Sequence, residues 1–161
     1  MLGACDGRKG TTSEPPKLEL ISEVQGYDYS NRYDSFLQFR FFYEDTDGDL
    51  GLDENDTLGE FAWGQPFFYT FFCSLYTLKN DTWVSVPNPF NPSEIMQFHE
   101  RFPNLTPTGR RKQLAGELEI TVPARPNNVE LDTVRFEMQL VDRALHKSKI
   151  CYSKEFILKH P

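Results

Sequence analysis

No run of about 18 apolar residues occurs in the 161-residue chain, so no segment reads as a bilayer-spanning helix and any membrane attachment must be covalent or peripheral. Positive charge is scarce. Lys and Arg number 17 against 24 Asp and Glu, a formal net charge of -7, and basic clusters such as Arg110, Arg111 and Lys112 are too short for a phosphate-binding stripe. Nucleic acid is therefore not an expected partner. The three histidines, His99, His146 and His160, share no metal-ligand spacing, and no G-x-S-x-G or Cys/His nucleophile signature is present, so a non-catalytic role is expected. Methionine is limited to three residues, and no repeat of about 20 to 50 residues is present, which excludes solenoids and propellers.

Aromatic residues are plentiful, with 14 Phe, 7 Tyr and 2 Trp, and such side chains favour the half-buried surface of a β-sheet. The dominant hydrophobic period from Lys17 onward is two. Leu18, Leu20 and Val24 share one face, as do Leu37, Phe39, Phe41 and Tyr43; Gly116, Leu118, Ile120 and Val122; and Val134, Phe136, Met138 and Leu140. Residues 67–78 are apolar on both faces and predict a central strand covered twice. "TWVSV" and "KICYSKEFIL" are further strands, and the Pro-rich stretches "VPNPFNP", "FPNLTPTG" and "PARPNN" mark turns. The pattern predicts an all-β fold, an immunoglobulin-like antiparallel β-sandwich of about seven strands with a long acidic loop. A short helix over "NPSEIMQFHERF" is the competing element, with Ser93 as its cap and Ile95, Met96, His99 and Phe102 on one face.

The amino-terminal "MLGACDGRKGTTSEPP" carries Leu2, Gly3, Ala4 and Cys5, which are similar to a bacterial lipobox whose cysteine receives a diacylglycerol. Residues 6–16 hold no apolar anchor and suit a flexible spacer; a frayed terminus with an incidental Cys is the plainer alternative. The expected organisation is a lipoprotein signal remnant and tether over 1–16 and a sandwich domain over 17–161. Cys73 and Cys151 then read as small buried hydrophobes, with a bridge between them as the alternative in an oxidising envelope.

The stretch "EDTDGDLGLDEND" packs five Asp and two Glu into residues 44–56. A hard cation such as Ca²⁺ takes six to eight oxygens at about 2.3 to 2.6 Å, and Asp at every second position around a tight turn delivers them. Counting from Asp45 places Asp47 and Asp49 at loop positions three and five, the Gly51 carbonyl at seven, Asp53 at nine and Asp56 at twelve, with Leu50 where Gly belongs. Counting Gly48 as position six instead leaves Tyr43 in place of the first carboxylate. The flanks read as strands, so the expected site is a Ca²⁺ loop embedded between strands; the alternative is a solvated hairpin of turn-forming Asp and Gly. No Cys or His lies in the run, which argues against zinc.

The acidic "DTDGDLGLDENDT", the middle "ERFPNLTP" and the late "FEMQLVDRALHKS" resemble envelope lipoproteins of the Bacteroidota, which carry a D-x-D-G-D-L-G loop on an immunoglobulin-like sandwich and close with a D-R-A-x-H-x-S turn. The resemblance spans roughly residues 35–158 and is carried by Asp45, Asp47, Gly48, Asp49, Leu50 and Gly51, then by Asp142, Arg143, Ala144, His146 and Ser148. It implies an outer-membrane lipoprotein without catalytic residues, an accessory subunit whose partner is an outer-membrane protein or another envelope lipoprotein. Surface-exported members follow the lipidated cysteine with an acidic cluster, whereas Asp6 here precedes Gly7, Arg8 and Lys9, which leaves the periplasmic and exterior faces both open. From the residues alone, Asp142 and Arg143 read as a hairpin turn with a local ion pair. The other functional reading is a glycan-binding module of a surface uptake system, with Trp63 and Trp83 as stacking rings; core packing is the plainer role for both.

Overall fold

The computed structural model describes residues 14–108 and 112–159. Cys5, Arg110, Arg111 and His160 lie outside these residues. Ten strands are described: β1 (Lys17–Asp28), β2 (Tyr33–Asp45), β3 (Phe71–Lys79), β4 (Thr82–Ser85), β5 (Pro87–Asn88), β6 (Asn91–Ile95), β7 (Leu114–Pro123), β8 (Thr133–Leu140), β9 (Cys151–Tyr152) and β10 (Phe156–Ile157). One sheet runs β1-β2-β7, the other β10-β8-β3-β4 with β9 also on β8, and β5 and β6 form a small ribbon. The two main sheets pack together as an all-β sandwich, and every strand pairing is antiparallel.

Period-two alternation decides which side chains enter the core. On β2, Leu37, Phe39 and Phe41 are completely buried and Tyr43 nearly so; on β8, Val134, Phe136, Met138 and Leu140 face them. Phe39 lies 5.0 Å from Phe136 and 5.9 Å from Phe156, and Phe41 lies 5.6 Å from Phe71, so aromatic contacts join the sheets. Each such ring contributes roughly 2 to 3 kcal/mol by leaving water.

Three expectations are corrected. A bulge between Leu20 and Ser22 changes the phase of β1, so Leu18 is buried while Val24 is exposed. Residues 67–70 form turns, and β3 has one buried face, Phe71, Cys73 and Leu75, with half-buried side chains opposite, so it is not covered twice. The helix over residues 91–102 does not form. Asn91–Ile95 is β6, and the chain beyond it runs along β3, where Phe98 N–H donates to the Cys73 carbonyl at 2.8 Å and Glu100 N–H to that of Phe71 at 2.9 Å. Cys73 and Cys151 are free thiols. Met138 stands in register between them, opposite Cys73 on one side and Cys151 on the other, and two strand spacings of about 10 Å exceed the reach of a disulfide.

The sandwich has one closed side and one open side. Along β1, the Cys151 thiol donates to the Leu18 carbonyl, the Gln25 amide to the Ile157 carbonyl and the Lys154 N–H to Glu23, so the 151–157 segment covers that edge. At the other side β7 pairs only with β2 among the described residues and faces the 98–103 segment across a groove of about 410 Å³.

Candidate metal centre

Tyr43 is the last apolar member of the core-facing row of β2, and the next residue in that phase is Asp45; Leu140 is the last of β8, and the next is Asp142. Two carboxylates therefore continue hydrophobic rows into the same end of the sandwich. Both are buried, Asp45 at 1% exposure and Asp142 at 0%. An antiparallel bridge between Leu50 and Asp142, and an Arg143 N–H donated to the Asp49 carbonyl at 3.2 Å, hold the acidic loop against the turn after β8. The two motifs that carry the lipoprotein resemblance thus meet in one place.

The loop is fixed from below by its apolar residues. Leu50 and Leu52 are buried, and Leu52 exchanges backbone hydrogen bonds with Phe102 and Asn104 at 2.9 and 3.2 Å. Gly48 and Gly51 both have positive φ, 68° and 85°, and a Cβ would run into the carbonyl of Lys112 at the first and of Pro103 at the second. Only glycine fits either position without strain.

Asp45, Asp47 and Asp49 each offer an oxygen, and these atoms all lie within 4.8 Å of one another. Oxygens bound at about 2.4 Å to one Ca²⁺ are at most twice that apart, so the spacing matches a shared ion. Among the described residues no N–H donates to either oxygen of Asp45 or to Oδ1 of Asp49, and the side chain within hydrogen-bonding reach of Asp45 is the carboxyl of Asp47. Burial, followed by the neighbouring Asp47, Asp49 and Asp142 carboxylates, pushes Asp45 up to about 7; burial and the Asp142 and Asp47 charges push Asp49 up to about 6. Burial also raises Asp142, against the opposing effect of His146, whose N–H and Nδ1 lie 2.8 and 3.1 Å from its oxygens. Clustered carboxylates this poorly solvated are oxygen donors of the kind a hard cation takes.

The outer half of the loop is engaged elsewhere. Asp56, expected at position twelve, makes a bidentate pair with Arg143, at 2.7 and 2.9 Å, and accepts the Asp53 N–H at 2.7 Å. Asp53 accepts from the Asn104 amide at 2.8 Å, and the Gly51 carbonyl faces Arg143 Nη1 at 3.4 Å. Of the six expected ligands, three come together. Arg143 is therefore not the partner of Asp142: the local ion pair expected from sequence is replaced by one pair that crosses from turn to loop, Arg143 with Asp56, and by the contact of Asp142 with His146 inside the turn. Asp142 is the carboxylate that spacing within the loop does not reveal; the signal for it is an Asp in the core phase of a strand.

The two tryptophans stand apart from this centre. Trp83, half-buried on β4, lies 4.5 Å from the Arg135 guanidinium, which also lies 5.1 Å from the ring of Tyr152, so its face is used by a cation-π stack. Trp63 is 78% exposed, edge-on to Phe68 at 4.8 Å, beside a pocket of about 470 Å³ that Tyr69, Gln97 and His99 also line. Compared with protein-family models, curated proteins and solved structures, the chain matches none.

Proposed function

We propose that the chain is a non-catalytic interaction domain whose two sheets are locked together at one end by a divalent cation, and that a lipid on Cys5 tethers it to a cell envelope. Asp45 carries the reading: a carboxylate at 1% exposure, reached among the described residues by no cation or N–H donor and by only the neighbouring Asp47 carboxyl, has a charge that the fold itself does not balance. Asp47 and Asp49 complete a three-carboxylate face for the ion, and Ca²⁺ fits it best because every donor is a hard oxygen. The ion would join β2, through Asp45, to the turn after β8, through the loop that Arg143 holds.

The tether rests on sequence. "LGAC" and the polar residues 6–16 precede β1, which leaves the sandwich free to stand off a membrane and meet an outer-membrane protein or another envelope lipoprotein. Calorimetric titration of chelator-treated protein tests the ion: one Ca²⁺ per chain with release of protons is expected, and absence of heat sinks it. Cys5→Ser, which should move the chain from the membrane fraction to the soluble one, tests the tether.

A second reading, a glycan-binding module, draws on the exposed Trp63 and its pocket. Quenching of Trp63 fluorescence by soluble polysaccharides, lost in Trp63→Ala, would support it; unchanged emission across neutral and acidic polysaccharides would not.

A further inference from the structure

The open side of the sandwich identifies the kind of partner. Natural sheets guard their edges with charged side chains, bulges, Pro, inward charges or covering segments. β1 is bulged twice and covered by residues 151–157, and the β4 edge is four residues long and continues into the 96–100 segment. Among the described residues β7 has only edge charge, Glu117 and Glu119: it is ten residues long, carries no Pro before Pro123 and no inward-facing charge, shows no bulge against β2 and pairs with no other strand. Its inward residues Leu118 and Ile120 are only half-buried and line the groove of about 410 Å³ with Phe98 and Phe102. Across that groove the five-stranded sheet is already extended by residues 96–100, whereas among the described residues the three-stranded sheet stops at β7.

From this we infer that β7 is a strand-acceptor edge: an extended segment of a partner protein pairs with it and lowers alternate apolar side chains into the groove, completing the smaller sheet. The outward row fixes the chemistry of the other side chains. Glu117 and Glu119 are exposed on that row, Glu119 also meeting Arg40 at 3.4 Å and Gln38 at 3.0 Å on β2, so the donor carries Lys or Arg above all opposite Glu117. A second copy of this chain is the wrong occupant. Antiparallel pairing of two β7 strands about Leu118 sets Glu117 opposite Glu119 twice, and like charges directly opposed are destabilising.

This deepens the interaction-domain reading and rests on it, so the experiment is done in saturating Ca²⁺, where a failure at β7 is separate from a failure of metal binding. The probe is a blocked peptide alternating Lys with Val and Ile, beside a peptide of the same composition with the alternation scrambled. Amide exchange by NMR should slow along β7 with the alternating peptide, and the scrambled one should bind about tenfold more weakly. Ile120→Lys, which places a charge in the groove at a half-buried position, should abolish the difference between the two peptides. Glu117→Lys with Glu119→Lys should transfer preference to the Glu-containing counterpart. Equal binding of both peptides, protection at β1 or β4 instead of β7, or β7 protection arising from self-association at raised protein concentration would each overturn the inference.

Discussion

Arg143 grips Asp56 with both ends of its guanidinium, Nη1 at 2.7 Å from Oδ2 and Nη2 at 2.9 Å from Oδ1, and so joins the turn after β8 to the far end of the acidic loop. The pair is partly shielded, with side chains 30% and 21% exposed, and a two-point contact is stronger than an ordinary surface ion pair. Arg143→Met should destabilise the domain by about 1 to 2 kcal/mol in urea denaturation, and Arg143→Lys should recover little of it, because an ammonium cannot reproduce the fork. A double-mutant cycle with Asp56→Ala that gives no coupling would show that the contact is incidental.

Gly51→Ala tests the loop backbone. A φ of 85° and the Pro103 carbonyl in the path of a Cβ predict a loss of roughly 2 kcal/mol or more, together with weaker Ca²⁺ binding. Gly59, whose φ is also positive but which faces open space, is the control: Gly59→Ala carries the backbone strain without the clash and should cost about half as much. Equal losses at the two positions would contradict the close approach between loop and Pro103.

His99 predicts a pH dependence. Burial pushes its imidazole down to about 4, and its Nδ1 accepts the Cys73 N–H at 2.9 Å, an arrangement that needs the neutral ring. The folded value lies below the unfolded one of about 6.5, so the stabilising contribution is complete above pH 6.5 and is lost progressively as pH falls toward 4, because only the unfolded chain takes up the proton. His99→Asn keeps an acceptor near the Cys73 N–H and removes the titration. The difference in stability between wild type and variant, measured in saturating Ca²⁺, should therefore change between pH 7 and 4; a constant difference would count against a buried neutral His99.

The two tryptophans should respond unequally. Trp83→Ala removes one wall of the Arg135 stack and should cost about 1 to 2 kcal/mol, whereas Trp63→Ala, at a ring 78% exposed, should stay within about 0.5 kcal/mol. Thermal denaturation of both variants distinguishes the structural ring from the available one.

The sandwich was legible because β2 and β8 keep strict alternation over long spans, and each buried row follows from it without knowledge of any partner strand. β1 and residues 91–102 were not. A bulge depends on the strand opposite, and the spacing of Ile95, Met96, His99 and Phe102 mimics a helix while the hydrogen bonds go to β3, remote in sequence. The candidate metal centre divides in the same way. Asp45, Asp47 and Asp49 follow from local spacing, but Asp56 is drawn off by Arg143, 87 positions away, and Asp142, whose charge bears on them, comes from the turn after β8. The phase of β2 alone marks Asp45 as a carboxylate in a core position, which is the strongest local sign of a charged ligand.

Thermal unfolding of chelator-treated protein near pH 8, with and without Ca²⁺, in wild type and Asp45→Asn, tests the central claim most directly. The bound ion should raise the wild-type Tm, by an amount that grows with ligand concentration and reaches about 4 kcal/mol of stabilisation at a thousandfold excess over Kd. Asp45→Asn should melt higher than wild type in chelator, because it removes a buried charge facing three others, and should gain nothing from Ca²⁺. A wild-type Tm indifferent to Ca²⁺, or an Asn variant that melts lower in chelator and still responds to the ion, would contradict a cation held by Asp45.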